Sequence, residues 1–284
     1  MIKTVSDIAD AYEAGRTYLQ TFYKVWPSGF ATANAWWDAT MAGNFPRASY
    51  YNGDDLVFTP YPALNHLSHF HGGDVAPATK ILRTINLHGS SANLAPSRYI
   101  LCDYLGFYGG ISWETNETQV FDNTTFTLPR YADGKGVRAF IVQLFGNNAN
   151  AVYTINYRGF DDVDKNSPTQ TGNALSTGAL QHAKVSSNYN PFVDLCAGCN
   201  GVKRVNSITV SSLGAGIAVL VLVKPIAEII FRDSTLFAPV EVDYLTQKYE
   251  TPIIYDGADL NFLMTSTASP AGTLTRGYME FIWT

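Results

Sequence analysis

The sequence predicts a mainly β protein: an antiparallel β-sandwich or jelly-roll-like barrel, preceded by an N-terminal helix and an extended aromatic arm. Three observations carry this. Short apolar runs bounded by Gly, Pro, Ser and Asn recur along most of the chain, as strands linked by turns do. Almost no helical periodicity lies between them, which argues against βαβ units. And 13% of the residues are aromatic while only 15% are charged, against about 25% charged in an ordinary soluble domain.

Ser6 is the expected N-cap of the opening helix, with Asp7 and Asp10 near the positive end of its dipole. Ile8, Ala11, Tyr12, Leu19 and Phe22 share one helical stripe, and Trp26-Pro27 is the expected stop. From Ser28 to Asp74 no clean period emerges. That stretch carries aromatics and three prolines, at 46, 60 and 62. A long aromatic segment without regular structure must bury its side chains somewhere, so it reads as an arm lying on another surface. Trp26, Trp36, Trp37, Phe45, Tyr50, Tyr51, Phe58 and Tyr61 are its candidate interface residues.

The β pattern starts with Lys80–Leu87 and Arg98–Leu105. It continues through Thr118–Leu128, then the turn Asp133-Gly134-Lys135-Gly136 into Val137–Phe145, and Ala151–Tyr157. Residues 159–200 are polar and aperiodic, an excursion from the framework. Strands are expected again at Ser207–Val210, Ile217–Val223, Ile226–Phe231, Val240–Tyr244, Ile253–Tyr255, Asn261–Met264 and Tyr278–Trp283, with Pro225 bending the chain at an edge or corner. The expected organisation is residues 1–74 as helix and arm, and 75–284 as the β domain.

Composition excludes several classes. Net charge is −5 and Lys203-Arg204 is the longest basic run, so direct nucleic-acid binding is not expected. The longest apolar stretch, Leu213–Val223, is interrupted by Lys224-Pro225 and falls short of the ~20 residues of a spanning helix. No signal-peptide pattern opens the chain, and a protein made in a cytoplasm is expected. A weakly charged, aromatic-rich surface is what interface cores use, and points to an oligomer or assembly subunit.

Candidate chemistry is sparse. His66, His69 and His71, followed by Asp74, form the sharpest cluster. On a strand His69 and His71 would share a face, a spacing used by metal-binding β-barrels, with His88 or His182 as a later ligand. A hydrogen-bonded, His-rich loop is the alternative. Cys196-Ala197-Gly198-Cys199 has the spacing of half a zinc knuckle or a redox pair, but no second Cys pair completes a zinc site. It reads as a loop pair, reduced or bridged. Asp161, Asp162 and Asp164 lack the glycine and terminal Glu of a calcium loop. No Gly-x-Ser-x-Gly, dinucleotide fingerprint or Walker loop is present. No enzyme activity, metal or cofactor is therefore expected.

Four stretches carry a family resemblance. They are Phe70-His71-Gly72-Gly73-Asp74-Val75-Ala76-Pro77-Ala78-Thr79-Lys80, Ser97–Tyr108, Leu128–Val137, and the region from Ala238–Asp243 to Asp256–Leu263. They resemble an uncharacterised family of tailed-bacteriophage virion structural proteins of the capsid-associated or decoration type. The resemblance implies a capsid cement or minor capsid protein located in the virion and assembled in the bacterial host cytoplasm. Its expected partners are the major capsid protein and copies of itself. A tail or fibre component binding a host glycan through Trp36 and Trp37 is the alternative, and a metal-dependent β-barrel enzyme using His69, His71 and Asp74 a more distant one.

Overall fold

The computed structural model describes residues 2, 4–25, 35–38, 55–61, 68–90, 96–146, 151–172, 184–186, 190–232, 238–246, 251–267 and 273–284. Its elements are helix α1 (Val5–Glu13) and strands β1 (Thr17–Val25), β2 (Trp36–Asp38), β3 (Phe58–Pro60), β4 (Lys80–Gly89), β5 (Ser97–Ser112) and β6 (Thr118–Val120). Then follow β7 (Arg138–Phe145), β8 (Val152–Gly159), β9 (Asp164–Asn166), β10 (Gln170–Thr171), β11 (Lys184–Ser186) and β12 (Val202–Ser212). The last are β13 (Ile217–Phe231), β14 (Val240–Asp243), β15 (Ile253–Ile254), β16 (Leu260–Ser266) and β17 (Leu274–Trp283). The strands pair antiparallel in three sheets stacked in a sandwich-like arrangement, and no sheet closes into a barrel among the described residues.

The opening helix is shorter than its stripe of apolar residues implied. Its cap is Thr4, not Ser6: the Thr4 hydroxyl accepts the Asp7 N–H at 3.1 Å and the Asp7 carboxylate accepts the Thr4 N–H at 2.8 Å. This reciprocal box satisfies two donors that the first helical turn leaves open. Thr4→Ala is expected to cost about 1 kcal/mol, read as a small downward shift of the thermal midpoint with unchanged β signal in circular dichroism. Gly15, at φ 65°, ends the helix, and Thr17–Val25 then alternates as a strand. Tyr18, Gln20, Phe22 and Lys24 turn inward, while Leu19, Thr21 and Tyr23 turn out. Leu19 and Phe22 satisfy a helical period by coincidence of spacing.

The first sheet runs β1-β17-β4-β14, with β15 also on β4. The central sheet runs β11-β2-β16-β5-β13-β7, with β3 on β5, and the third runs β10-β8-β12-β6, with β9 on β8. The two longest strands, β5 and β13, explain the layering. Tyr99 and Leu101 of β5 join Ile229 and Phe231 of β13 in a core with Phe22, Leu82, Ile85, Met279 and Phe281 of the first sheet. Further along the same strands, Leu105, Tyr108, Leu220 and Leu222 join Tyr153, Ile155, Val205 and Ile208 of the third sheet in a second core. The alternate residues, Ile100, Cys102, Tyr104, Val219, Val221 and Val223, line a third core on the reverse face. Strands buried on both faces read as continuous apolar runs, as these do. Helix α1 closes the outer end of the first sheet, packing Ile8 and Ala11 on Ile81 and Ile282.

Pro225 joins two segments that the sequence reading kept apart. It sits inside β13 opposite Cys102, at a register shift, two residues after the pairing with β7 ends at Val223. The missing N–H therefore costs no ladder bond on the β7 side. At the predicted turn, Gly134 and Gly136 have φ of 74° and 70°. A side chain at Gly134 would meet the Lys203 backbone at 2.5–2.6 Å.

Candidate functional site

The aromatic arm is not laid out as an arm where the structure describes it. β2 pairs with β16 through Trp36, Trp37 and Asp38, and β3 pairs with β5 through Phe58–Pro60. Trp36 and Tyr61 fill the reverse-face core, Trp37 the first, and Phe58 the second. They are 1%, 6%, 4% and 6% exposed, respectively. These four interface candidates are thus spent on the chain's own packing, and Trp36 and Trp37 present no face for stacking on a sugar. The other four, Trp26, Phe45, Tyr50 and Tyr51, lie outside the described residues. Phe58 packs against Tyr108 and Phe126, with ring centroids at 5.2 and 4.5 Å. Phe58→Leu is expected to lower stability by about 1 kcal/mol with no change in association, as denaturation and light scattering would show.

The histidine cluster is dismantled in the same way. His66 lies outside the described residues. Residues 68–75 contain bends and a single bridge between His69 and Leu260, so the strand face that would unite His69 and His71 does not form. The His69 ring is enclosed by Phe22 and Phe262, with centroids at 4.8 and 5.3 Å. Burial, and then Lys24, hold its pKa well below the usual histidine range. The His71 Nδ1 lies 2.9 Å from the Lys80 ammonium; burial first, then that cation, lower the His71 pKa to about 4. Asp74 accepts the Gly257 N–H at 2.8 Å. Ring nitrogens facing a lysine and aromatic rings make no divalent site, and among the described residues no group of three or more His, Cys, Asp or Glu is placed to hold a metal. Cys196 and Cys199 are bridged within their turn, which the Cys196 carbonyl closes by accepting the Cys199 N–H at 2.9 Å.

What the sequence did not reveal is a buried polar seam where the first and second cores meet. Asp103 of β5 is fully enclosed, and Arg130 reaches it from the 121–137 connection. The contact is bidentate, Nε to Oδ2 at 2.8 Å and Nη2 to Oδ1 at 2.6 Å, with Nη2 also donating to the Tyr104 carbonyl at 3.0 Å. Burial pushes the Asp103 carboxyl up while Arg130 pulls it back down. Asp259 donates its N–H to Asp103 at 2.9 Å. Its own carboxyl is raised to about 7, chiefly by burial. Nearby, Tyr104 donates to Asp38 at 2.8 Å, and Lys24, lowered to about 7 by burial, feels the Asp38 charge. One signal was available: Asp103 interrupts an otherwise apolar run, and a charge in a strand buried on both faces requires a partner. Every member of this seam is enclosed, so it can specify packing but offers no entry to a substrate.

An open cleft lies elsewhere. A shallow cavity of about 410 Å³ lies beside β13, lined by Phe192, Pro225 and the Arg98–Glu228 pair among others. That pair is engaged with itself at 2.7 Å. Among the described residues the exposed apolar side chains lie instead on helix α1 (Val5, Tyr12) and on sheet faces, edges and turns, among them Leu19 (55%), Tyr23 (42%) and Val120 (68%).

Fold and site thus define an antiparallel β-sandwich-like protein with a charged seam buried between two of its cores. No family model matches the chain, and no curated protein matches it. Among solved structures, the infectious bursal disease virus VP2 subviral particle aligns at 9% identity, over 95% of this chain and 80% of that one, with a TM-score of 0.18. T=1 particles derived from infectious bursal virus align at 8% identity, over 94% and 77%, also at 0.18. Similarity at this level carries no argument about fold or function.

Proposed function

We propose that this chain is a virion structural protein of a tailed bacteriophage, a capsid cement or minor capsid subunit that stabilises the head through subunit contacts. The observation that carries the reading is where the chemistry lies. Among the described residues, the charged groups Asp103, Asp259, Asp38 and Lys24 are sealed in the interior, while charges on the surface pair with one another, as Arg158 does with Asp162 and Asp164, and exposed apolar side chains such as Leu19, Tyr23 and Val120 lie on the strands. Such a surface works by area and repetition. Weak contacts multiplied over a lattice reach high avidity without a deep pocket. The resemblance of the 70–80, 97–108, 128–137 and 238–263 stretches to phage virion proteins supports the same role. The major capsid protein and further copies of the chain are the proposed partners.

The test is reconstitution. Purified chain is mixed with heads of the encoding phage that lack it, and bound copies are counted by sedimentation and located in a cryo-electron microscopy map. Ordered density on the head lattice is the expected result. Density on the tail would move the proposal to the tail or fibre role, and failure to bind any part of the particle would overturn both.

A further inference from the structure

Residues 68–78 lie as a strap across the junction of two sheets. On the central-sheet side His69 bridges Leu260 of β16, its N–H donating to the Leu260 carbonyl at 2.8 Å. On the other side the strap rests on the first sheet. Phe70 meets Tyr18 of β1 edge-on at 5.3 Å, and His71 faces Phe281 of β17 at 6.4 Å between ring centroids. Carboxylates clasp the far end: Asp256 accepts the Val75 and Ala76 N–H groups at 2.9 and 3.1 Å, and Asp74 accepts that of Gly257 at 2.8 Å. Among the described residues the His69–Leu260 bridge is the strap's single ladder contact. A segment held in this way can open while the sheets beneath it keep their pairing.

The strap carries two buried imidazoles, each 1% exposed. Neither ring nitrogen of His69 has a hydrogen-bond partner, and the His71 Nε2 has none. Phe22 and Phe262 enclose the His69 ring, and the cation it feels is Lys24 of β1, which itself faces Asp38 of β2. Beside it Ser68 bonds the Asp259 carboxyl. The His71 Nδ1 lies 2.9 Å from the ammonium of Lys80 in β4, which also donates to the Gly73 carbonyl, and Asp74 and Asp256 are the anions in its field. We propose that residues 68–78 are an acid-released strap: once protonated, His69 and His71 each stand desolvated against a lysine, and the strap lifts to free them while both sheets stay paired. Neutral imidazole fits the closed strap, since the Lys80 ammonium donates and the His71 Nδ1 accepts. An imidazolium has no lone pair to offer there, so repulsion replaces the hydrogen bond. The two anions soften that cost, but both carboxylates are also engaged with backbone N–H groups. At His69 burial and then Lys24 both oppose the charge. Closure is therefore fully supported above the ordinary histidine value of 6.5 and weakens as pH falls below it. This device is independent of the virion role.

The test is amide hydrogen exchange of the full chain at pH 7 and pH 5, each corrected for the intrinsic chemical rate. Protection of the 68–78 peptide is expected to fall by about ten-fold or more, while peptides from β5 and β13 keep theirs. The double variant His69→Gln and His71→Gln cannot take the protons, and is expected to show the same 68–78 protection at both pH values. Unchanged protection in wild type overturns the proposal, as does a loss shared equally by β5 and β13, which is global unfolding. An equal loss in the double variant overturns it too, and assigns the opening to the Asp74 and Asp256 carboxylates. Should the double variant not fold, nuclear magnetic resonance of the histidine-labelled wild-type chain decides. His69 and His71 rings that stay neutral until the 68–78 amides lose protection uphold the strap. Rings that take protons with those amides still protected overturn it. The virion role stands or falls separately, since head binding is read at neutral pH and strap opening on the isolated chain.

Discussion

Replacing Arg130 by methionine is expected to destabilise the protein by about 3–5 kcal/mol, the cost of leaving a buried charge without its partner. Arg130 and Asp103 are 7% and 0% exposed in their side chains, so water cannot substitute for the lost guanidinium. The damage spreads, because Asp103 also accepts the Asp259 N–H and Arg130 also donates to the Tyr104 carbonyl. The combined Arg130→Met and Asp103→Leu variant is expected to recover a large part of the loss. Well-packed apolar side chains often match or exceed a buried ion pair, and only the half-pair is strongly unfavourable. Urea denaturation of wild type, the two single variants and the double variant forms the required cycle. A loss below about 1 kcal/mol for Arg130→Met, the range of solvated pairs, would mean that the seam between the two cores is open to solvent.

That seam also marks the limit of what the sequence could tell. The framework strands were legible because their signal is local: Arg98–Leu105 and Ile217–Val223 are apolar on both faces and bounded by turn residues, and both lie in the central sheet. Two kinds of feature were not legible. One arises where two periods coincide over a few residues, as when Leu19 and Phe22 satisfied a helical stripe although Gly15 ends the helix and β1 follows. β9, β10 and β11, within the polar 159–200 stretch, belong here too. They are two or three residues long and owe their conformation to β8 and β2. The other arises where the decisive contact is distant in the chain. Asp103 and Arg130 are 27 positions apart, and Asp259 meets Asp103 across 156. Nothing in either neighbourhood names its partner. Trp36, Trp37, Phe58 and Tyr61 were misread for the same reason: an aperiodic aromatic run states that burial is needed, and only the pairing with β16 and β5 shows that the chain supplies it itself at these four.

The second large effect is in pH dependence, to which Asp259 contributes an acid limb and Lys24 an alkaline one. Asp259 is held at about 7, chiefly by burial, above its ordinary 3.8. Its neutral form is the one the fold favours, so the stability it contributes is fully present below pH 4 and is lost as pH rises toward and through 7. Lys24 is displaced the other way, from 10.5 to about 7, again chiefly by burial. Its contribution is present above pH 10.5 and is lost as pH falls to 7. His69 and His71, both held below the usual histidine range, lose stability as pH falls below 6.5 and so oppose the Asp259 limb, which is why each contribution is read from a variant relative to wild type. Asp259→Asn keeps the shape and removes the titration, so its stability relative to wild type should rise by on the order of 2–3 kcal/mol between pH 5 and pH 8. Lys24→Met should flatten the alkaline limb and leave the acid limb in place. Denaturant midpoints at pH 5, 6, 7, 8 and 9 for the three proteins separate these effects. An Asp259→Asn profile parallel to that of wild type would show that the carboxyl is ionised and solvated throughout. Because the Asp259 N–H donates to Asp103, the Asp259 limb should also extend to higher pH in Arg130→Met, where a cation opposing its rise is gone. The seam then acts as one unit: its ion pair fixes how the two cores meet, and its neighbouring carboxyl reports through pH whether that junction is closed.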